Sequence, residues 1–184
     1  MTEDVDVIVV PNGSLFKSTG GLARVIVAKE PSVQEQLDSL IDIKHPPGMA
    51  IPVHTPLSSE TIKARGILHV VGPAVTTPKA EQWLQRTFQN CLLEASKVGA
   101  KSICFPAIGT GGAGISPSTC ANAFFNVIKR GAPEGVEEIT LLCNDIEILR
   151  AFTSAYNTII SSESGTQTAL GLITEKLLRG RKVF

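Results

Sequence analysis

The chain lacks the patterns that mark secreted, membrane-spanning and metal-binding proteins. Its 184 residues include only four cysteines, with no C-x-x-C spacing, which favours reduced thiols in a protein of the cytoplasm or nucleus. No apolar run approaches the ~20 residues of a membrane span. The acidic residues Glu3, Asp4 and Asp6 interrupt any signal-peptide pattern. The short apolar runs also lead us to expect no membrane partner. His45 and His54 lack metal-ligand spacing to a cysteine or an acid, so we expect no metal.

The chain also lacks an excess of either charge. Seventeen basic residues balance 17 acidic ones, which argues against a broad basic surface for nucleic acid and leaves only a local patch open. The apolar fraction of 43% is ordinary for a globular protein, and the length predicts one domain with a substantial core.

The most informative stretch is a glycine-rich loop at residues 109–114. An apolar run at 101–108 leads into four glycines within six residues, and a helical pattern follows. Ser116 is placed to cap that helix, with Pro117 at its first position. Glycines between a strand and a helix let backbone N–H groups approach an anion, and the helix dipole assists. The stretch therefore predicts a phosphate cradle, the alternative being a plain glycine-rich turn.

A second, weaker copy of this arrangement lies near the N-terminus. Residues 4–10 are typical of a buried strand, 11–14 of a turn, and Gly20-Gly21 opens a helical pattern. Two such loops suit a ligand with two linked phosphates, bound where parallel strands end. Residues 109–114 also fit G-x-G-x-x-G, which makes a nicotinamide dinucleotide domain the rival. The position in mid-chain, Pro106 in the preceding strand and the short chain count against that rival.

Strands and helices alternate along the chain. The apolar strands are continuous, which predicts a mainly parallel sheet with helices on both faces. Residues 49–51 fit a short edge strand because prolines surround them. We expect strands at 4–10, 67–71, 101–108 and 138–143, and helices at about 21–29, 32–42, 79–98 and 117–130, with a last helix capped by Asn144 or Asp145.

These features together resemble the macrodomains, a family that binds ADP-ribose. The resemblance covers roughly residues 4–160 and is most like the later macrodomains of multi-macrodomain poly(ADP-ribose) polymerases. It implies a three-layer α/β/α sandwich with a mostly parallel mixed sheet, from which the first family strand is missing. Residues 161–184 are expected to form a linker and a C-terminal amphipathic helix. The landmarks in family order are residues 5–9, 20–23, 47–50, 67–73 and 105–108 with the loop that follows.

The resemblance also implies which residues bind the ligand. The family's distal-ribose asparagine corresponds to Gly13 without a gap and to Asn12 with a one-residue shift, and we favour Asn12. The family aromatic against that ribose is Ala113 here, and its adenine-binding aspartate lies on the missing strand. Phe16 and Asn144 fall near pocket-lining positions. The residues expected at the pyrophosphate are Gly20, Gly21, Leu22, Gly109, Thr110, Gly111, Gly112 and Gly114.

Other reactive side chains have structural interpretations. His69 lies inside an apolar strand and is expected to be a satisfied core histidine. Cys120 either carries a stabilised thiolate at the start of a helix or is a small buried residue. Glu30 and Glu35 are expected on solvent-facing helix surfaces.

Three functions remain open at this point. We favour a binding module, or reader, for ADP-ribose or mono-ADP-ribosylated proteins, with ADP-ribose as ligand and no cofactor. The first loop lacks the carboxylate of hydrolytic macrodomains, so a mono-ADP-ribosyl-protein hydrolase is the alternative. A degenerate macrodomain serving as a protein-interaction module is the second alternative. We expect a monomer or a part of a larger multidomain chain.

Overall fold

A five-stranded mixed sheet forms the centre of the molecule. The structure, a computed structural model, describes residues 5–17, 20–39, 43–53 and 64–160. The strand order is β2-β3-β1-β4-β5, in which only the edge strand β2 runs antiparallel to its neighbour. The strands are β1 (Val5–Asn12), β2 (Ala50–Val53), β3 (Ala64–Val71), β4 (Ser102–Pro106) and β5 (Glu138–Leu142). The predicted mostly parallel sheet with a short edge strand is therefore confirmed.

Helices cover both faces of the sheet because successive residues of β1 point to opposite sides. Val7 and Val9 belong to the larger buried cluster, which includes Phe88 and Phe124. Ile8 and Val10 belong to the smaller one on the other face. The helices are α1 (Gly21–Lys29), α2 (Pro31–Asp38), α3 (Ala80–Lys97), α4 (Pro117–Ile128) and α5 (Ile146–Ile159). With α1 and α2 on one face and α3, α4 and α5 on the other, the three-layer sandwich is confirmed.

Several strand boundaries differ from the sequence-based expectation. β1 continues to Asn12, because Pro11 and Asn12, which were expected in a turn, lie opposite Val70 and Val71 of β3. β2 covers Ala50–Val53 rather than 49–51, and β4 begins at Ser102 rather than at residue 101. β3 begins three residues earlier than expected, at Ala64, because its first residues pair with β1 although Arg65 is exposed. β4 ends at Pro106, and Ala107 instead begins a turn in which its carbonyl accepts from Thr110 N–H at 3.3 Å. β5 ends at Leu142, which leaves Cys143 just outside the strand.

The helix ends follow the expected capping chemistry. Ser116 Oγ accepts a hydrogen bond from Thr119 N–H at 3.1 Å, and Pro117 is the first residue of α4. Asp145, one of the two expected caps, accepts from Glu147 N–H. The expectation that Glu30 lies on a solvent-facing helix surface is wrong: the residue is 2% exposed where α1 meets α2. Glu35 faces solvent as expected.

Parts of the sequence analysis fall outside the described residues. The linker and helix expected over 161–184 lie there, and so do residues 1–4, so the division into these two regions stays a prediction. Within the described ranges, no helix is long and apolar enough to cross a membrane.

Asp6 ties the start of β1 to the start of β4. Its Oδ2 accepts hydrogen bonds from Lys101 N–H at 2.8 Å and Ser102 N–H at 3.0 Å, and its Oδ1 lies 3.2 Å from Arg65 Nε. Burial raises the pKa of this carboxyl, but these hydrogen bonds and the Arg65 charge outweigh burial and hold the pKa below its ordinary value. The ionised Asp6 therefore fixes two central strands in register.

We predict that Asp6→Asn lowers the free energy of unfolding by about 2 kcal/mol, because hydrogen bonds to a charged group are lost. Glu137→Gln is the matched control, since the ion pair of Glu137 with Lys101 is well exposed and its loss costs less than about 1 kcal/mol. Urea unfolding at neutral pH measures both. Equal losses in the two variants would contradict the role given to Asp6.

Candidate functional site

One cleft opens where the parallel strands end. Its volume is about 1350 Å³, and it is lined by the loops that follow β1, β3, β4 and β5 together with residues 44–47. Both glycine-rich loops contribute to it, the first through Gly20 and Gly21 and the second through residues 109–113. The two loops predicted from the sequence therefore meet at one site.

The first loop presents an uncapped helix N-terminus to the cleft. Gly20 precedes α1 in an extended conformation and supplies no side-chain cap. The N–H groups of Gly21 and Leu22 have no partner among the described residues, as expected for a first helical turn. In contrast, α4 and α5, which begin at the same edge of the sheet, carry side-chain caps. The start of α1 is thus available to an anion.

The second loop leaves four main-chain N–H groups without an acceptor in the described part of the chain. Gly109 and Gly114 adopt positive φ angles of 84° and 73°, which side chains rarely adopt, and they close the loop. Ile115 N–H donates to Gly109 O, and Gly114 N–H donates to Gly111 O, each at 2.9 Å. The four groups without an acceptor among the described residues are the N–H groups of Gly109, Gly111, Gly112 and Ala113.

Nearly all residues predicted at the site line this cleft. Gly114 is the exception: its φ angle and its N–H bond shape the loop, but it is not a lining residue. The predicted residues that line the cleft are Asn12, Gly20, Gly21, Leu22, Gly109, Thr110, Gly111, Gly112 and Ala113. Their contacts with a ligand stay predictions.

Asn12 is held against His69 at the end of β1. Asn12 Nδ2 donates to Val10 O at 3.1 Å and lies 2.7 Å from His69 Nδ1. An amide N–H donor requires a lone pair on Nδ1, which places the imidazole proton on Nε2. Asn12 Oδ1 and His69 Nε2 are buried without partners among the described residues. His69 is therefore a core histidine as expected, but only one of its two ring nitrogens has a hydrogen-bond partner among the described residues. The side-chain amide of Asn12 points at His69.

Phe16 does not line the cleft; it anchors the first loop from below. It is completely buried, and its φ of 50° is unusual for a bulky residue. Its ring packs edge-on against His45 with centroids 4.9 Å apart, and His45 N–H donates to Ser14 O at 2.8 Å. Phe16 thus joins the first loop to the segment before β2.

Sequence reasoning missed that the segment before β2 belongs to the site. Residues 44–47 line the cleft because Gly48 N–H donates to Val71 O at 2.7 Å, which fastens the segment to the end of β3. Asn90 of α3 supports the same turn by donating to Gly48 O at 2.6 Å. Residues 47–50 are part of the family resemblance, but their sequence does not indicate that the segment lines a cleft.

The charged lining residues are separated between the two ends of the cleft. Lys44 lies at the β3 end, whereas Asp145 and Glu147 lie at the β5 end beside Asn144. Asp145 Oδ1 is already used as the cap of α5. In the described ranges no group of three or more His, Cys, Asp or Glu is arranged to hold a metal ion.

Cys120 has the structural role. It is fully buried in the first turn of α4. Burial and the neighbouring Cys143 raise the pKa of its thiol to about 12. The helix start therefore does not produce a reactive thiolate at neutral pH.

The match to a family model agrees with this arrangement. The Macro domain model matches residues 12–124, which include both glycine loops and the strands β2, β3 and β4. The chain therefore belongs to the Macro domain family.

Three known proteins illustrate the similarity. The O-acetyl-ADP-ribose deacetylase of Enterobacter cloacae is 27% identical and aligns over 82% of this chain and 86% of its own length. Human protein mono-ADP-ribosyltransferase PARP14 is 29% identical over 77% of the chain, a match that spans 8% of PARP14. The Trypanosoma brucei macrodomain solved in complex with ADP-ribose superimposes with a TM-score of 0.70 at 17% identity, covering 82% of this chain and 63% of that one.

We predict that His69→Gln flattens the dependence of stability on acid pH. Burial lowers the pKa of His69 from 6.5 to about 4, so between these values the unfolded chain binds a proton that the folded chain does not. Stability is therefore lost as pH falls through this window, by up to ~3 kcal/mol. Glutamine removes the titration but can still accept from Asn12. Urea unfolding of both proteins between pH 4 and 7 measures the difference, and parallel curves would contradict the assignment.

Proposed function

We propose that this chain is a reader that binds ADP-ribose, free or attached to a protein. In this proposal the diphosphate lies between the two glycine loops and accepts hydrogen bonds from main-chain N–H groups at both. The observation that carries the proposal is that at least five such groups, from two loops, belong to residues lining one cleft and have no other partner among the described residues. They include those of Gly21, Leu22, Gly111, Gly112 and Ala113.

The comparisons support ADP-ribose as the ligand. A relative whose name states action on O-acetyl-ADP-ribose aligns over most of the chain, and a macrodomain of the same fold is solved with ADP-ribose. The size of the cleft, about 1350 Å³, accommodates a ligand with two ribose rings and a base. The particular resemblance of this chain to the later macrodomains of multi-macrodomain poly(ADP-ribose) polymerases stays a prediction.

The distribution of carboxylates favours a reader over a hydrolase. Hydrolysis needs a group that activates or orients water beside the reacting carbon. The carboxylates lining the described cleft are Asp145 and Glu147, both at the β5 end, and Asp145 caps a helix. Hydrolysis remains the alternative function, and loss of label from a mono-ADP-ribosylated protein over time would establish it.

We retain the cytoplasm or nucleus as the proposed location.

We predict that Gly111→Glu abolishes ADP-ribose binding and leaves the fold intact. A Cβ added at Gly111 meets no atom within 4 Å, and the φ angle is not of the glycine-only type. The new carboxylate then occupies the cleft and repels the diphosphate, for an expected loss of about 100-fold or more. Titration calorimetry with ADP-ribose measures the affinity, which we expect in the micromolar range for the unmodified chain.

Asn122→Glu provides the control for this experiment. Asn122 is exposed on α4 and does not line the cleft, so the same added charge leaves binding unchanged. Thermal unfolding with and without ligand confirms that both variants fold. Absence of binding by the unmodified chain at millimolar ADP-ribose would reject the reader and favour the degenerate interaction module.

A further inference from the structure

Exposed apolar side chains concentrate at one end of the cleft. Seven large apolar residues are exposed in the described part of the chain. Two of them, Leu93 and Val98, lie on or after α3, and Ile146 lies at the β5 end. The other four lie within two residues of positions that line the cleft in the loops after β1 and β3 and in the segment before β2. We call these four the apolar rim: Leu15, Ile43, Met49 and Val75.

The apolar rim is built on the framework of the site. His45 connects three of its members, since its N–H donates to Ser14 O beside Leu15, its Nδ1 lies 3.0 Å from Met49 Sδ, and Ile43 is two residues before it. Val75 approaches from the loop after β3, where its N–H donates to Ala113 O at 2.8 Å. Ile43 and Val75 remain 57% and 60% exposed. Scattered apolar residues are ordinary on a surface, but several beside one binding cleft indicate a partner.

The two ends of the cleft suit different parts of the proposed ligand. At the β5 end, Leu142 and Ile148 supply apolar walls beside the polar groups of Asn144 and Glu147, a combination that fits a flat base with an amino group. The β3 end carries Lys44 and the apolar rim. If the base occupies the β5 end, the distal ribose lies at the β3 end.

A free ribose is too small and too polar to cover four apolar side chains. The distal ribose is the part of ADP-ribose through which a protein is attached. In this orientation, whatever is attached there leaves the cleft at the end that carries the apolar rim and Lys44. A polypeptide with apolar side chains and an acidic residue next to its modified residue matches both features.

We propose that the apolar rim is a docking surface for the polypeptide that carries ADP-ribose. This inference rests on the proposed function and makes it more specific: the ligand is ADP-ribose linked to an apolar, acidic stretch of protein. The cleft binds the nucleotide, and the apolar rim selects among modified sequences by burying the side chains that flank the modification.

Calorimetry with three ligands tests the docking surface. They are free ADP-ribose, an ADP-ribosylated peptide with leucine and glutamate beside the modified residue, and the same peptide with glycine and serine there. We expect the leucine peptide to bind about tenfold more tightly than free ADP-ribose, a difference of about 1.4 kcal/mol. The glycine peptide is expected to bind like free ADP-ribose.

The double variant Leu15→Ser, Ile43→Ser removes two side chains of the apolar rim without touching a lining residue. We expect it to bind free ADP-ribose normally and to lose the preference for the leucine peptide. Leu93→Ser is the control, because Leu93 is 42% exposed on α3 and lies outside both the cleft and the apolar rim. This control is expected to retain the full preference, and thermal unfolding confirms that both variants are folded.

Two results would overturn the docking surface while leaving the reader intact. One is equal affinity of the unmodified chain for all three ligands; the other is an unchanged preference in the double variant. Binding of the leucine peptide without its ADP-ribose as tightly as with it would also contradict the inference. Failure of the unmodified chain to bind free ADP-ribose is different, since it rejects the proposed function itself.

Discussion

Unpaired main-chain N–H groups at one edge of a parallel sheet are the constraint on which the site depends. The first turn of α1 and the loop after β4 leave main-chain N–H groups without an acceptor among the described residues, and the residues that carry them are exposed or half-buried, so a ligand can reach them. Parallel strands β1 and β4 are neighbours, so the loops that follow them lie side by side. The cleft is thus a consequence of topology, and it needs no charged side chain to attract a diphosphate.

The fold and the two loops could be predicted because they depend on local chemistry. Alternating apolar strands and helices, the Ser116 cap and the glycines at 109–114 each act over a few residues, and the structure agrees with them. Two predictions were wrong because contacts between residues distant in sequence decide the local structure. The exposed start of β3 is held in the sheet by its pairing with β1, and Glu30 is buried by the junction of two helices.

The remaining parts of the site depend on contacts between residues far apart in the sequence. Such contacts produce no local sequence pattern from which they could be predicted. Residues 44–47 reach the cleft through a bond between Gly48 and Val71, and Phe16 supports the first loop by packing on His45. The pairing of Asn12 with His69 joins residues 57 positions apart. These contacts make the β3 end of the cleft different from the β5 end, and under the proposed function that asymmetry would give a bound nucleotide a direction.

The most direct test of the account is which backbone amides respond to the ligand. Titration of the ¹⁵N-labelled chain with ADP-ribose, followed by NMR, reports each main-chain N–H separately. If the diphosphate lies between the two loops, the largest shifts occur together at Gly21, Leu22, Gly111, Gly112 and Ala113, at one common affinity. Shifts confined to one loop, or centred away from both, would contradict a diphosphate held between them.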